Sequence, residues 1–278
     1  VYKVFKNLDK KFADIFLRFI NNGQIDIYPK KGKENGAFCF YNLMSQPTYI
    51  LLNYMDKLNN VITLAHELGH GINDELMKEK QNSLNFGTST ATAEAASVFM
   101  EDFVLEEVSK NADDELKLAI MMMKLNNDIS TIFRQIALYK FEQELHGSFR
   151  SKEYLSKKEI GKLFQKHMSA YMGDSVELSL GSENWWVYWK HIRWFFYVYS
   201  YASGCLISKF LQASVKRDPN FIEKVKEFLS AGRSDSPKNI FQKLDINITE
   251  KKFWDTGIGE VENLLQETIT LAKRLSKI

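Results

Sequence analysis

The sequence predicts a mainly α fold with a small β-sheet near its N-terminal end. Apolar residues recur at helical spacing along most of the chain, and only 4 of its 278 residues are proline. The stretches that read as strands fall early: Gly23 to Pro29 and Gly36 to Asn42. Both are β-branched or aromatic and bounded by Gly, Lys or Asn. An apolar content of 45% suffices for one large core or two small ones. With no internal repeat, low-complexity segment or linker, the chain reads as one domain over residues 1–278.

The elements follow in order. Leu8 to Asn21 reads as a helix with Phe12, Ile15, Phe16 and Phe19 on one face. After the two strands, Tyr49 to Tyr54 and Val61 to Ala65 are apolar enough to be buried, and a helix spans about Leu58 to Lys78. The polar, Gly-containing stretch Gln81 to Ser89 is a loop, and another helix runs from about Thr90 to Val108. A long helical stretch covers about Asp113 to His146, its buried stripe marked by Ile129, Ile132, Phe133, Ile136 and Phe141. Ser156-Lys157-Lys158-Glu159 is a capping-box pattern that opens a helix through Tyr171. An aromatic-rich helix is expected over Glu183 to Ser208, and the last from about Gly259 to Lys277.

The helix over about Leu58 to Lys78 carries His66-Glu67-Leu68-Gly69-His70. Histidines four apart on a helix project from one face, so their ring nitrogens can share one tetrahedral Zn²⁺. The glutamate between them can take a proton from a metal-activated water, the general-base role in a metallopeptidase. Gly69 weakens the helix but lets another backbone or a substrate approach closely. The bland alternative is a helix with two ordinary histidines, although the chain has only 5 histidines in all.

A catalytic zinc usually has three protein ligands and an open position. Asn73 and Leu76 stand where a metzincin would carry Gly and a third His, so that class is excluded. Asp74, one turn past His70, reads better as a helix-end residue than as a ligand. Glu94 is the stronger candidate, because the small residues around it allow its helix to pack closely and deliver a carboxylate. Glu101, seven residues on, falls on the same face and is placed to hydrogen-bond a ligand histidine. The alternative is two solvated glutamates, which Ala95, Val98 and Phe99 beside them argue against.

Bulk composition narrows the rest. Lys+Arg 37 against Asp+Glu 35 gives +2 with no basic block, so no nucleic-acid footprint is visible. Apolar runs such as Trp194 to Tyr199 are far too short to span a membrane. The N-terminus has no signal-peptide h-region and no initiator Met, which reads as a fragment or a processed chain. Cys39 and Cys205 make no disulfide framework and suit a reducing cytoplasm.

Several blocks then resemble oligoendopeptidase F, of the thimet oligopeptidase family of zinc metallopeptidases. They are Gly36-Ala37-Phe38-Cys39, Tyr49 to Tyr54, Thr63 to His70, Ala93-Glu94-Ala95-Ala96-Ser97, and His191 with Phe196 to Gly204. They occur in the family's order and cover most of the chain. The resemblance implies a zincin-like helical catalytic domain with one Zn²⁺ per chain, held by His66, His70 and Glu94, and Glu67 as general base. It implies that His191 and a tyrosine, Tyr199 in preference to Tyr197, stabilise the oxyanion, that Tyr197 holds substrate, and that Gly36 to Cys39 is an edge strand along which substrate backbone lies. Short peptides are the implied substrates. Full-length relatives are roughly twice as long, so an N-terminal half or a partner chain is implied as missing.

Independently of any family, a phenol or imidazole at a developing oxyanion can contribute about 3 kcal/mol. Tyr197, Tyr199 and Tyr201 alternate, so on a helix they do not share a face. His146 and His167 lack ligand-like spacing. Two other readings compete with a zinc endopeptidase: a non-catalytic peptide-binding domain with a structural zinc, and the inactive half of a two-part peptidase. A structural site normally has four protein ligands, and no fourth Cys or His lies near the motif.

Overall fold

The computed structural model describes residues 1–41 and 43–278. It divides into two compact units, one formed by Val1–Met123 with Gly204–Ile278 and the other by Lys124–Ser203. Helices dominate both, and the only described sheet is small and lies early in the chain, the mainly α architecture expected from the periodicity.

The first unit opens with α1 (Tyr2–Leu8) and α2 (Lys10–Asn21). A single helix from Leu8 was expected. Instead Asp9, extended at φ −163°, breaks the chain, and its side chain accepts the Lys11 N–H to start α2. Phe12, Ile15, Phe16 and Phe19 do form the buried face. The strands are shorter than expected: β1 (Ile25–Asp26), β2 (Phe38–Phe40) and β3 (Tyr49–Leu51). Gly23 belongs to the reversal that ends α2, at φ +65° with its N–H on the Ile20 carbonyl. Asn42, the expected end of the second strand, lies outside the described residues.

β3 is central. It pairs parallel with β1 (Ile25 opposite Ile50) and antiparallel with β2 (Cys39 opposite Ile50). The Tyr49 to Tyr54 stretch, read only as buried, is thus half strand: Ile50 and Leu52 face inward while Tyr49 is exposed.

α3 (Leu58–Lys80) lies where expected. Its start is held by the Asn60 side chain, which accepts the backbone N–H groups of Met55 and Lys57. Ile62, Ala65, Leu68, Ile72 and Leu76 bury one face among the phenylalanines of α1 and α2. The helix expected from Thr90 is interrupted: a 3₁₀ turn (Thr90–Thr92) precedes α4 (Ala95–Lys110). α9 (Ile222–Ser230), α10 (Pro237–Lys243) and the first turn of α11 (Lys251–Arg274) complete this core.

Between them come α5 (Asp114–Ile129), α6 (Gln135–Lys152), α7 (Lys157–Met172) and α8 (Tyr199–Arg217). The long stretch expected over Asp113 to His146 contains a π-turn at Ser130–Arg134. Its wider turn shifts the register, so Ile132 and Phe141 are buried while Ile129, Phe133 and Ile136 are exposed. The Ser156 capping box is present, with the Glu159 side chain accepting the Ser156 N–H at 2.9 Å. α11 starts eight residues before Gly259, the expected first residue, and takes Gly257 and Gly259 into its interior. At Gly257 a Cβ would meet the Leu206 carbonyl oxygen at 2.8 Å, so this glycine admits a close helix contact.

The largest departure is the aromatic-rich helix expected over Glu183 to Ser208. Two 3₁₀ turns (Ser182–Val187 and Lys190–Trp194) stand there, and regular helix starts only at Tyr199. Phe195 and Phe196 adopt φ +49° and +57°, which no helix accommodates. The second unit's core is Ala137, Leu138, Phe141, Phe164, Met168 and Val198.

Candidate metal centre and aromatic cluster

α3 presents His66 and His70 on one side, their rings 5.1 Å apart and nearly perpendicular. Glu94 comes from the turn before α4, at φ −92° and ψ 0°, a conformation outside the helix that aims its side chain back at α3. Two glycines make this approach possible. A Cβ on Gly69 would sit 2.6 Å from both the Ala96 carbonyl oxygen and the Ser97 Cα, and one on Gly204 would sit 2.7 Å from the Glu94 Cβ. Both contacts are closer than any side chain allows, so backbone touches backbone beside the cluster.

The Nε2 atoms of His66 and His70 each lie 3.5 Å from Glu94 Oε2. One ligand atom from each of the three residues falls within 4.8 Å of the others. A tetrahedron with ligand bonds of about 2.1 Å has edges of about 3.4 Å, so the donor set fits a zinc-sized ion. The next layer orients it. His66 Nδ1 lies 3.0 Å from Glu101 Oε2, and a proton there leaves the Nε2 lone pair directed at the cluster. Ser97 Oγ donates to Glu94 Oε2 at 2.9 Å.

Charge reinforces this geometry. Burial alone would raise the Glu94 carboxyl, but the His70 hydrogen bond and both imidazoles bring it down to about 2. Burial would lower His66, yet the Glu101 hydrogen bond and neighbouring carboxylates leave its pKa raised. Glu67 is raised, chiefly by burial, with the imidazoles of His66 and His70 and the Cys39 backbone N–H pulling the other way. A buried carboxyl with a raised pKa beside an ion site is suited to accept and return a proton. Asp74 is fully buried below this layer, bound to Thr48 Oγ1 and Lys78, and is not one of the clustered donors.

The second unit gathers the other site candidates. His191, on the turn Lys190–Trp194, stacks on Tyr197 with ring centres 5.8 Å apart at 18°. Its Nε2 lies 3.0 Å from the Tyr201 hydroxyl. Burial lowers the His191 pKa. Tyr199 makes no ring contact with His191 among the described residues: its ring meets Tyr139 at 5.8 Å, and its hydroxyl has no hydrogen bond among the described residues. Sequence reasoning gave Tyr201 and Ser97 no role. Ser97 was findable as a hydroxyl three residues after Glu94, whereas the Tyr201 pairing depends on the turns. His146 packs against Phe195 and Phe196, and His167 pairs with Glu144 at 2.6 Å.

A profile of Peptidase family M3 matches residues 4–260. The chain belongs to Peptidase family M3. Its relatives include the oligopeptidase PepF of Bacillus subtilis, 28% identical over 271 residues that cover 94% of this chain and 40% of the relative. The group B oligopeptidase PepB of Streptococcus agalactiae is 29% identical over 252 residues, covering 90% and 42%. Among solved structures, a putative peptidase from Chlamydophila abortus superposes with a TM-score of 0.85 at 24% identity, over 97% of this chain and 46% of that one. A putative oligoendopeptidase F from Bacillus anthracis gives 0.72 at 15%, over 96% and 45%. The resemblance to oligoendopeptidase F read from the sequence is borne out. This M3 chain spans less than half the length of the curated relatives it matches. Among the described residues no helix is long and apolar enough to cross a membrane.

Proposed function

We propose that this chain is the catalytic part of a zinc-dependent oligopeptidase that hydrolyses peptide bonds in short peptides. The observation that carries the reading is the convergence of His66, His70 and Glu94 on one point, with Glu67 between the two histidines. Their donor chemistry suits Zn²⁺, one ion per chain, with a coordination position left open. When bound, zinc supplies a Lewis acid that polarises the scissile carbonyl and makes water acidic enough to react near neutral pH.

Glu67 takes the proton of the attacking water and passes it to the leaving amine, a role its raised pKa supports. Glu101 and Ser97 keep the ligand side chains in place. His191 and Tyr199 donate to the carbonyl oxygen as charge develops there. Tyr199 has an uncommitted hydroxyl for that purpose, while Tyr201 holds the His191 ring. Tyr197 offers a ring face to substrate, and β2, at the sheet edge among the described residues, offers main-chain groups to an extended peptide. Relatives named oligopeptidases support short peptides as substrates. The relatives' remaining length, as an N-terminal half or a partner chain, completes the enzyme in this reading, and a reducing cytoplasm suits Cys39 and Cys205, which form no disulfide.

A structural zinc in a non-catalytic domain would need a fourth protein donor, and among the described residues the cluster has three. The test is cleavage of a quenched fluorescent peptide by the zinc-loaded chain, with and without a chelator, beside Glu67→Gln. Chelator-sensitive cleavage that Glu67→Gln abolishes while still binding zinc is expected. A Glu67→Gln protein that holds zinc and cleaves at the wild-type rate overturns the proposal.

A further inference from the structure

The chain between His191 and α8 is bent where no glycine eases it. Phe195 (φ +49°) and Phe196 (φ +57°) are consecutive bulky residues in the left-handed half of conformational space, each costing about 1–3 kcal/mol. Burial does not offset this for Phe195, which is 69% exposed. Every ring that contacts His191 after this bend depends on it: His191 precedes it, while Tyr197 and Tyr201 follow it.

The Phe196 N–H donates to Glu142 Oε1 at 3.0 Å, across 54 residues of sequence. Glu142 sits in the middle of α6 with 0% exposure, next to the core residue Phe141. Its other oxygen, Oε2, is buried with no hydrogen-bond partner among the described residues. Burial also raises its pKa. An apolar side chain of similar volume would fill this space at lower cost, since a half-satisfied buried carboxyl destabilises a fold. Among the described residues, the one hydrogen bond this side chain makes is to the strained turn.

We infer that Glu142 is a positioning residue, whose bond to the Phe196 N–H holds the Phe195–Phe196 turn and so sets the His191 ring against Tyr197 and Tyr201. The catalytic consequence rests on the peptidase reading above, whereas the positioning itself does not. Gln at 142 keeps an acceptor for the N–H, and Leu removes it while filling the volume. Phe195→Gly offers an independent handle, because glycine adopts φ +49° without strain and the exposed ring is not part of the core.

The experiment compares Glu142→Gln, Glu142→Leu and Glu142→Leu with Phe195→Gly, all in the zinc-loaded chain. His191 ring NMR signals and their titration are read beside kinetics on a quenched fluorescent peptide. Glu142→Leu is expected to move the His191 signals, bring its titration back toward the ordinary imidazole range, and lower kcat about 10- to 100-fold with little change in KM. Glu142→Gln is expected to stay within about threefold of wild type, and Phe195→Gly to recover most of the Glu142→Leu loss. If Glu142→Leu does not fold, the double variant, relieved of the strain, carries the same comparison. Unmoved His191 signals in Glu142→Leu, or Glu142→Gln as impaired as Leu, overturn the inference. A wild-type chain that cleaves nothing while the Leu variant moves those signals refutes the peptidase reading and leaves the positioning role standing.

Discussion

His66 and His70 ride on α3 and Glu94 stands at the N-cap of α4, two long helices whose backbones meet at Gly69 and Ala96. His191 and Tyr197 ride on short turns and a strained bend, and Tyr201 on the first turn of α8. The first group is built from regular elements with the close approach written into small residues. The second is built from irregular backbone tied down by a side chain on another helix. Regular scaffolds hold ligands rigidly, as a metal site requires, while turns can place several donors in a small space at the cost of strain. The two clusters should therefore respond differently to substitution.

The largest contrast is expected from the ligands. Glu94→Ala or His70→Ala should reduce bound zinc from one per chain to a small fraction in elemental analysis, whereas Tyr201→Phe should leave it unchanged. Equal losses would erase the distinction between the clusters. Glycine substitutions sharpen it next. Gly69→Ala forces a Cβ into the Ala96 and Ser97 backbone and should cost about 1–3 kcal/mol by urea denaturation, with weaker zinc binding. Gly147→Ala, in α6 with nothing within 4 Å of the new Cβ, should instead stabilise by about 0.5–1 kcal/mol.

How much of this was legible in the residues follows the same division. The spacing of His66 and His70, and the small residues beside Glu94, pointed to the His66–His70–Glu94 cluster, and α3 lies within two residues of its expected end. Even the Glu101 contact follows from one helix face. The aromatic cluster was misread as continuous helix because Glu183 to Ser203 contains neither Gly nor Pro to signal a break. At the break the Phe196 N–H bonds Glu142 instead of a helical carbonyl, and no local propensity records a partner 54 residues away. The π-turn at Ser130–Arg134 escaped for a related reason, since one wider turn leaves apolar spacing nearly unchanged while rotating Phe133 and Ile136 outward.

Smaller effects probe the layer behind each cluster. Ser97→Ala removes the donor to Glu94 Oε2 and should weaken zinc about tenfold in competition with a chromophoric chelator. Behind the aromatic cluster, pH reads the buried carboxyl of Glu142, whose folded pKa is raised by burial above the ordinary value of 4.5. Its stabilising contribution is fully present below about pH 4.5 and lost as pH rises through the folded value. Wild type should therefore lose stability relative to Glu142→Leu on going from pH 4 to 8 in parallel denaturation curves. A pH-independent difference would mean the carboxyl titrates alike in the folded and unfolded chains.

Anomalous diffraction at the zinc edge on crystals of this chain tests the central claim most directly. One peak is expected about 2.0–2.2 Å from His66 Nε2, His70 Nε2 and a Glu94 oxygen, with a position open to solvent or substrate. A peak elsewhere, or an ion at the two histidines with Glu94 turned away, would contradict the account.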